Sequence, residues 1–351
     1  MGRAEEVAEL RATYQADLAA GTDRFFLPER ADCPWCGGTT LRERLRTSDL
    51  TQGKPGEFVL DECASCGHVF QNPRLSKEGL DFYYRDFYDG LGTETTAKMF
   101  ESGSSVKRFL GSAQAMRTLA EPARWLDVGA ANGHFCAAAK QELPNTVFDG
   151  LDMGESIEQA LKEGRISHAY RGWFTELVED MAGAYDVVSM FHYLEHTLEP
   201  QQELAAARTA LRPGGHLVIE VPAPESRFAK LLGRWWLPYF QPQHLQLMPM
   251  ANLRRELESQ GFTVVATERA ACHIPVDLAA AAWFQLNRVL PGEDLPWRAT
   301  VPGRGARLLR GAMLLASVPV MVALYGLDHL IAPLTRRTGF SNAYRIIARR
   351  E

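Results

Sequence analysis

The sequence has no surplus of basic residues. Its 38 Lys and Arg stand against 43 Asp and Glu, a formal net charge of -5. A surface of that sign disfavours non-specific nucleic-acid binding, which depends on neutralising phosphates. The first residues hold no apolar signal core, because Glu5, Glu6, Glu9 and Arg11 break up the stretch. A cytoplasmic location is therefore the default expectation. Cysteine is scarce, and six in a chain of this kind read as metal ligands or free thiols before disulfides. The dinucleotide pattern G-x-G-x-x-G is missing from the most strand-turn-helix-like stretch. Long runs that are both uncharged and strongly apolar are scarce too, and the one that stands out is residues 311–327. At 351 residues the chain has room for about two domains, one ordinary and one small.

What is there is organised around Trp125-Leu126-Asp127-Val128-Gly129-Ala130-Ala131-Asn132-Gly133-His134-Phe135. Residues 125–128 read as the end of a buried strand. Gly129 to Gly133 is a turn that permits positive φ or close ligand approach. The alanine-rich stretch from Phe135 starts a helix. A strand, a glycine turn and a helix form the nucleotide corner of a doubly wound sheet, with the ligand outside the carboxyl end of the strand. The pattern here is D-x-G-x-x-x-G. Asp127 at the strand end repels a phosphate and welcomes a cation, whereas the dinucleotide pattern presents backbone and helix terminus to a pyrophosphate. S-adenosylmethionine carries an amine and a sulfonium and no phosphate, so it suits this corner.

From Arg124 to about Ala270 strands and helices alternate, the signature of a mainly parallel sheet. Strands are expected at 124–128, 146–151, 169–171, 185–191, 216–221 and 263–268, and a final one at 342–349. Helices are expected at 135–142, 156–163, 201–211 and 250–260. Pro213-Gly214-Gly215 closes the helix before the fifth strand. The resulting organisation has an N-terminal helix (1–31) and a small metal-binding module (32–75). A helical linker or lid follows (76–119), then the nucleotide-binding core (120–270), a helical apolar insertion (271–340) and the last core strand (341–351). The N-terminal helix carries Val7, Leu10, Tyr14 and Leu18 on one stripe. An aromatic cluster at Phe82, Tyr83, Tyr84, Phe87 and Tyr88 reads as packing between the domains, ahead of a substrate-binding role.

Cys33-Pro34-Trp35-Cys36-Gly37 and Cys63-Ala64-Ser65-Cys66-Gly67 are two copies of C-x-x-C-G. Two such turns facing each other make a tetrahedral thiolate cage for Zn2+, and the glycine after each pair relieves crowding. Four protein ligands leave no open position, so the zinc has a structural role. A module of about forty residues has too little core to fold alone, and the metal compensates. Cys136 and Cys272 lack partners and read as buried thiols.

Asp152, ending the next strand in Gly150-Leu151-Asp152-Met153, is placed to accept both ribose hydroxyls of an adenosine. The competing reading is a helix N-cap for the segment near Ser156. Asp186 reads as a strand-start acid without a cofactor role. After the strand at 185–191 comes Phe191-His192-Tyr193-Leu194-Glu195-His196. These features are followed by Leu211-Arg212-Pro213-Gly214-Gly215, Glu220-Val221-Pro222 and Gly261-Phe262. In this order and spacing they resemble the class I S-adenosylmethionine-dependent methyltransferases. The cysteine pairs followed by Val69-Phe70-Gln71-Asn72-Pro73 are similar to the zinc-binding module ahead of some sugar C-methyltransferases. The resemblance covers about residues 32–268. It implies a seven-stranded doubly wound sheet. It also implies that Asp127, Gly129 and Gly133, with Ala130 and Asn132 of the same turn, cradle the methionine part of the cofactor. Asp152 then takes the ribose, Met153 packs on adenine, and Phe191 and His192 line the methyl-donor end. Ala131 stands where the family has a central glycine. The extra C-terminal domain of the sugar enzymes has no counterpart after Glu268.

Methyl transfer to a hydroxyl or an acidic carbon needs a group to remove a proton, and histidine suits that task. His244, in Tyr239-Phe240-Gln241-Pro242-Gln243-His244-Leu245, is the first choice, followed by His192; the bland alternative for His244 is a structural role in its loop. His192-x-x-Glu195-His196 matches a zinc-protease pattern, but that pattern needs a long helix where a strand ends here. By resemblance to the small-RNA 2′-O-methyltransferases, His192, Glu195, His196 and His244 are a candidate divalent-metal set beside the acceptor.

The run at 311–327 is near the lower limit for a membrane span, and Pro319 interrupts it. If 342–349 is a core strand, the chain returns to the side it left and does not cross. The remaining readings are a buried or dimer-forming helix, or a helix at 308–335 lying on a membrane or over a greasy substrate. Arg304, Arg307, Arg310, Arg336 and Arg337 frame the run, as an anionic bilayer surface would favour. The expected function is an S-adenosylmethionine-dependent methyltransferase acting on a small-molecule, sugar or lipid-linked acceptor. The rivals are an RNA or glycan methyltransferase using a divalent metal, and a non-catalytic zinc-ribbon interaction protein on a methyltransferase scaffold.

Overall fold

The computed structural model describes residues 3–85 and 103–351. It contains two sheets. The small one is antiparallel and built from β1 (Leu41–Thr47), β2 (Phe58–Cys63) and β3 (Val69–Gln71). The large one takes β4 (Arg124–Val128), β5 (Val147–Asp152), β6 (Ala169–Arg171), β7 (Tyr185–Phe191) and β8 (Leu211–Pro222). A two-residue strand, β9 (Gln246–Leu247), leaves the core and joins the edge of the small sheet beside β3. β10 (Phe262–Glu268) and β11 (Ala343–Arg350) complete the large sheet.

The large sheet runs β10-β11-β8-β7-β4-β5-β6. Pairs β4–β5, β4–β7, β5–β6 and β7–β8 are parallel, and β11 is antiparallel to both β8 and β10. The order reverses at β4, so the crevice at its carboxyl end is the binding position of a doubly wound sheet. Alternate residues along the central strands enter opposite layers. Leu126, Val188 and Ile346 join one buried cluster, while Trp125, Val187 and Ile347 join the other. This period of two on both faces explains the nearly unbroken apolar runs of β4 and β7.

The expected seven strands are present, with small shifts in their limits. The helix after the glycine turn is shorter than expected, His134–Ala139. Arg212 to Gly215 do not end a helix before β8; they bulge within that strand. Tyr185 pairs with Leu211 and Val187 with His216, so four residues loop out opposite Asp186. Gly214 has φ +78°, which glycine supplies without a Cβ clash.

Tyr14 from the first helix, Phe25, Phe58, Phe82, Tyr83 and Trp297 form one aromatic cluster beneath the small sheet. The packing role expected for Phe82 and Tyr83 holds. Phe87 and Tyr88 lie outside the described residues. Pro319 does not break the apolar run: Arg304–Thr335 is one 32-residue helix, about 48 Å long. The reading of this run as a buried helix is overturned, because its most apolar window has none of its residues buried. It packs along Asp277–Val289 on one side only.

Candidate functional site

The site begins at the carboxyl end of β4. Gly129 and Ala130 donate their N–H groups to the Leu151 carbonyl (2.8 and 3.1 Å), which ties the turn to the end of β5. Gly129 has φ +77°, and a Cβ there would lie 2.7 Å from Tyr193 Cδ2. Gly133 has φ +67° and leads into the helix at His134. Ala131 also takes a left-handed conformation, φ +44°. A non-glycine residue there costs roughly 1–2 kcal/mol. Its N–H donates to Asp152 Oδ2 at 2.9 Å, which holds it in place. The other oxygen of Asp152 accepts from Gly154 N. Asp152 therefore braces both loops at the mouth of the crevice, and the helix at Ser156 has no side-chain cap. Met153, beside it, is half exposed.

Asp127 lies at the bottom of the turn, 4 % exposed. Ser189 Oγ donates to its Oδ1 at 2.6 Å, and Trp125 Nε1 donates in turn to Ser189 Oγ. Among the described residues its other oxygen meets only the Cys136 thiol, at 3.9 Å. Burial pushes the Asp127 carboxyl up to about 7, and the charge of Asp152 adds to the effect. A buried carboxylate with one neutral donor and one weak thiol is short of positive charge, which a cationic ligand would supply. Together with the glycine cradle, these residues fit the amine and ribose of S-adenosylmethionine.

The end of β7 supplies the opposite wall. Phe191 packs on Phe135, ring centroids 4.5 Å apart. His192 has φ +51°, a strained backbone for a histidine, and its N–H is tied to the Glu220 carbonyl at 2.7 Å. Its Nδ1 is 3.0 Å from Glu195 Oε1, and its Nε2 is 3.7 Å from Glu220 Oε1. Burial opposes the charged ring, but these carboxylates outweigh it and raise the His192 pKa. Glu220 is fully buried between Arg108 (2.6 Å) and Arg345 (2.9 Å). Burial raises its pKa, yet the two guanidinium groups and His192 hold it well below the usual carboxylate range. Sequence reasoning missed Arg108 and Arg345. Both reach Glu220 from more than 100 residues away, and no local pattern marks them.

The loop from Tyr239 to Leu245 brings His244 to the same place. Leu245 N–H donates to the Glu195 carbonyl at 2.8 Å. His244 Nδ1 donates to the Pro238 carbonyl at 2.7 Å, and His196 Nδ1 to the Gln243 carbonyl at 3.0 Å. Each ring thereby presents Nε2 as its lone-pair nitrogen. Burial, and then His196, push His244 down to about 3. Glu195 Oε2 is buried with no hydrogen-bond partner among the described residues. Ligand atoms of Glu195, His196 and His244 lie within 4.8 Å of one another. Of the four-residue metal set expected from sequence, the structure brings three together. It places His192 outside the trio, bonded to Glu195. Tyr84, expected only to pack, donates its hydroxyl to the Gln243 carbonyl and lies 3.0 Å from His196 Nδ1.

The four cysteines also converge. Cys33 and Cys66 sulfurs are 3.7 Å apart, as are those of Cys36 and Cys63. A tetrahedron with Zn–S bonds of about 2.3 Å has edges of about 3.8 Å, so the cluster has the dimensions of a zinc cage. Gly37 and Gly67 have φ of +71° and +72° in two matched turns. Gly38 was not singled out from sequence, yet a Cβ there would press on Ser65 Oγ and Cys63 Sγ at 3.0 and 3.1 Å.

Residues 103–267 match a family described as a methyltransferase domain. The chain is similar to the ubiquinone biosynthesis O-methyltransferase of Vibrio atlanticus, 34% identical over 97 residues, which cover 26% of this chain and 40% of that protein. Its counterpart in Acinetobacter baumannii is 33% identical over 156 residues, 40% of this chain and 63% of that protein. The chain thus spans less than two thirds of these relatives' length. Among solved structures, a SAM dependent methyltransferase from Archaeoglobus fulgidus is 20% identical and covers 69% of this chain and 94% of its own, with a TM-score of 0.43.

Proposed function

We propose, for a core that belongs to the class I S-adenosylmethionine-dependent methyltransferases, that this chain methylates a hydroxyl on a small, sugar or lipid-linked acceptor, with His192 as the general base. The observation that carries this reading is the pairing of two strand ends. Buried Asp127 closes β4, and the His192–Glu195 pair follows β7 directly beside it. Bound S-adenosylmethionine would supply a cationic methyl group and its leaving group. The chain's own part is to hold the amine at Asp127 and the ribose at Asp152, to orient the acceptor, and to take its proton.

His192 suits the last task better than His244. Glu195 fixes its tautomer through Nδ1, leaving Nε2 to accept a proton. The imidazolium so formed lies between Glu195 and Glu220, which stabilise it. His244 is held neutral by burial and is a weak base at neutral pH. A hydroxyl acceptor agrees with the O-methyltransferase names of the relatives. The four thiols are read as a structural zinc site.

A second reading concerns Glu195, His196 and His244. Two neutral imidazoles and an unpartnered carboxylate oxygen suit a divalent cation. Such an ion would polarise the acceptor oxygen, leaving His192 beside it to take the proton.

The test combines binding and turnover. Calorimetry with S-adenosylmethionine is expected to show one site per chain. Mass spectrometry of a cell extract incubated with the protein and methyl-labelled cofactor is expected to reveal a labelled product. His192→Gln is expected to lower kcat by roughly 10²–10⁴ with little change in cofactor affinity. Turnover that survives in His192→Gln would overturn the base assignment. Loss of turnover with a chelator, and its return with Mg2+ or Mn2+, would select the metal reading.

A further inference from the structure

We propose that the outer face of the helix Arg304–Thr335 is a seat for an anionic lipid bilayer, holding the protein in the interface plane without crossing it. The inference rests on this face alone and does not depend on the methyl-transfer reading. The helix is one side of a hairpin with Asp277–Val289. Residues 310, 314, 317, 321, 324, 328, 331 and 335 form its inner stripe, spaced by alternating threes and fours, and all are at least partly covered. The outer arc is apolar and bare. Leu308, Leu315 and Leu330 are each at least 75% exposed, and Val322 and Leu334 nearly as much. An arc this size is a docking surface and not ordinary surface scatter.

Charge decides what covers it. Residues 303–339 hold a single acid, Asp328. It is buried, and its two oxygens accept the N–H groups of Leu278 and Ala279 at the start of the neighbouring helix. The exposed arc therefore carries no negative charge. Arg304 and Arg307 stand exposed at one end, and Arg336 and Arg337 at the other. A second copy is a poor occupant, because parallel or antiparallel pairing of two such helices sets arginines against arginines at both ends. An anionic headgroup layer meets the arginines while its acyl region takes the apolar arc. Topology forbids a single crossing. β10 and β11, which flank the insertion, are adjacent and antiparallel, so the chain leaves and returns on the same side. The hairpin also packs on the acceptor-side loop: Leu278 and Ile331 touch the cluster of Phe228, Trp236 and Tyr239. The seat thus lies next to the elements that carry His244.

Vesicle flotation of the full chain tests this. Vesicles are made of equal parts phosphatidylglycerol and phosphatidylcholine, or of phosphatidylcholine alone. The chain is expected to float with the anionic vesicles and less with the neutral ones. Leu315→Gln combined with Val322→Gln is expected to weaken flotation at least tenfold. Arg336→Gln combined with Arg337→Gln is expected to lower binding to anionic vesicles by roughly fivefold per charge and to leave neutral vesicles unaffected. All four positions are exposed, so circular dichroism and cofactor calorimetry are expected to match the parent and to report separately on folding and on the methyltransferase reading. Failure to float, or variants that float as well as the parent, would overturn the proposal. So would a dimer in sedimentation that the Leu315→Gln and Val322→Gln pair dissolves.

Discussion

Asp127→Asn separates the two things Asp127 does. In the cofactor-free protein an ionised carboxyl at this depth is a cost, since burial pushes its pKa from 3.8 to about 7. Below about pH 4 the group is protonated in both folded and unfolded chains, and no penalty exists. As pH rises from 4 to 7 the unfolded chain gives up its proton while the folded one keeps it, so stability falls. Above 7 the full penalty is present. Three pH units at about 1.4 kcal/mol each put the ceiling near 4 kcal/mol. The asparagine is nearly isosteric and still accepts from Ser189 Oγ, so it escapes the penalty. Glu203 and Asp277 are also raised to about 7 by burial, which makes the parent's own pH curve composite. The difference between parent and variant isolates Asp127. Urea unfolding is expected to show the variant more stable by only about 1 kcal/mol at pH 4.5 and by about 2–4 kcal/mol at pH 8. Calorimetry is expected to show the reverse for function: cofactor affinity falls on the order of a hundredfold in the variant. The parent's affinity is expected to rise towards tenfold per pH unit from 5 to 7, because a cation selects the ionised carboxylate. A variant no more stable than the parent at pH 8, or a pH-independent parent affinity, would refute this account.

Two further outcomes follow from buried groups. Glu220→Gln removes the charge shared by Arg108 and Arg345, which stay buried. It is expected to destabilise the fold by about 3–5 kcal/mol, and thermal unfolding within a degree or two of the parent would contradict that. Cys63→Ser is expected to abolish the single equivalent of zinc measured by elemental analysis. It is also expected to expose residues 241–247 to proteolysis while cofactor affinity stays within a few-fold; an unchanged digestion pattern would count against the coupling.

The large sheet was legible because its strands are short-range patterns. Apolar runs such as 185–191 and the glycine turn at 129–133 carry their geometry in neighbouring residues. The cysteine pairs were legible for the same reason. What sequence left unread is long-range. The Glu220 network joins residues 108, 220 and 345, and only the topology sets them together. The surroundings of His192 and His244, on which the proposed choice of base rests, also lay beyond sequence: which ring nitrogen is engaged and which carboxylates face it are set by the topology. Ala131 was read as a small residue in place of glycine. Its positive φ, and the Asp152 bond that holds it there, were not visible.

The small sheet has a place in this arrangement that a recruiting module would not need. β9 is two residues long and pairs only with β3 among the described residues. Such a strand has little stability of its own. Gln71 N–H donates to the Leu245 carbonyl, Gln71 Nε2 to Gln241 Oε1, and His68 Nε2 is 3.1 Å from Gln246 Oε1. These contacts flank His244, from three residues before it to two after it. The Val69-Phe70-Gln71-Asn72-Pro73 stretch that follows the second cysteine pair is thus the edge on which the acceptor-side loop is laid. Arg44 extends the same contact to the Tyr239 hydroxyl at 2.9 Å. A metal held by the cysteine turns would also brace β2 and β3, and through them the backbone that places His244 near Glu195 and His196. On the proposed reading the module would serve as a wall of the site, which would account for its fusion to the core better than a role in capturing a separate partner.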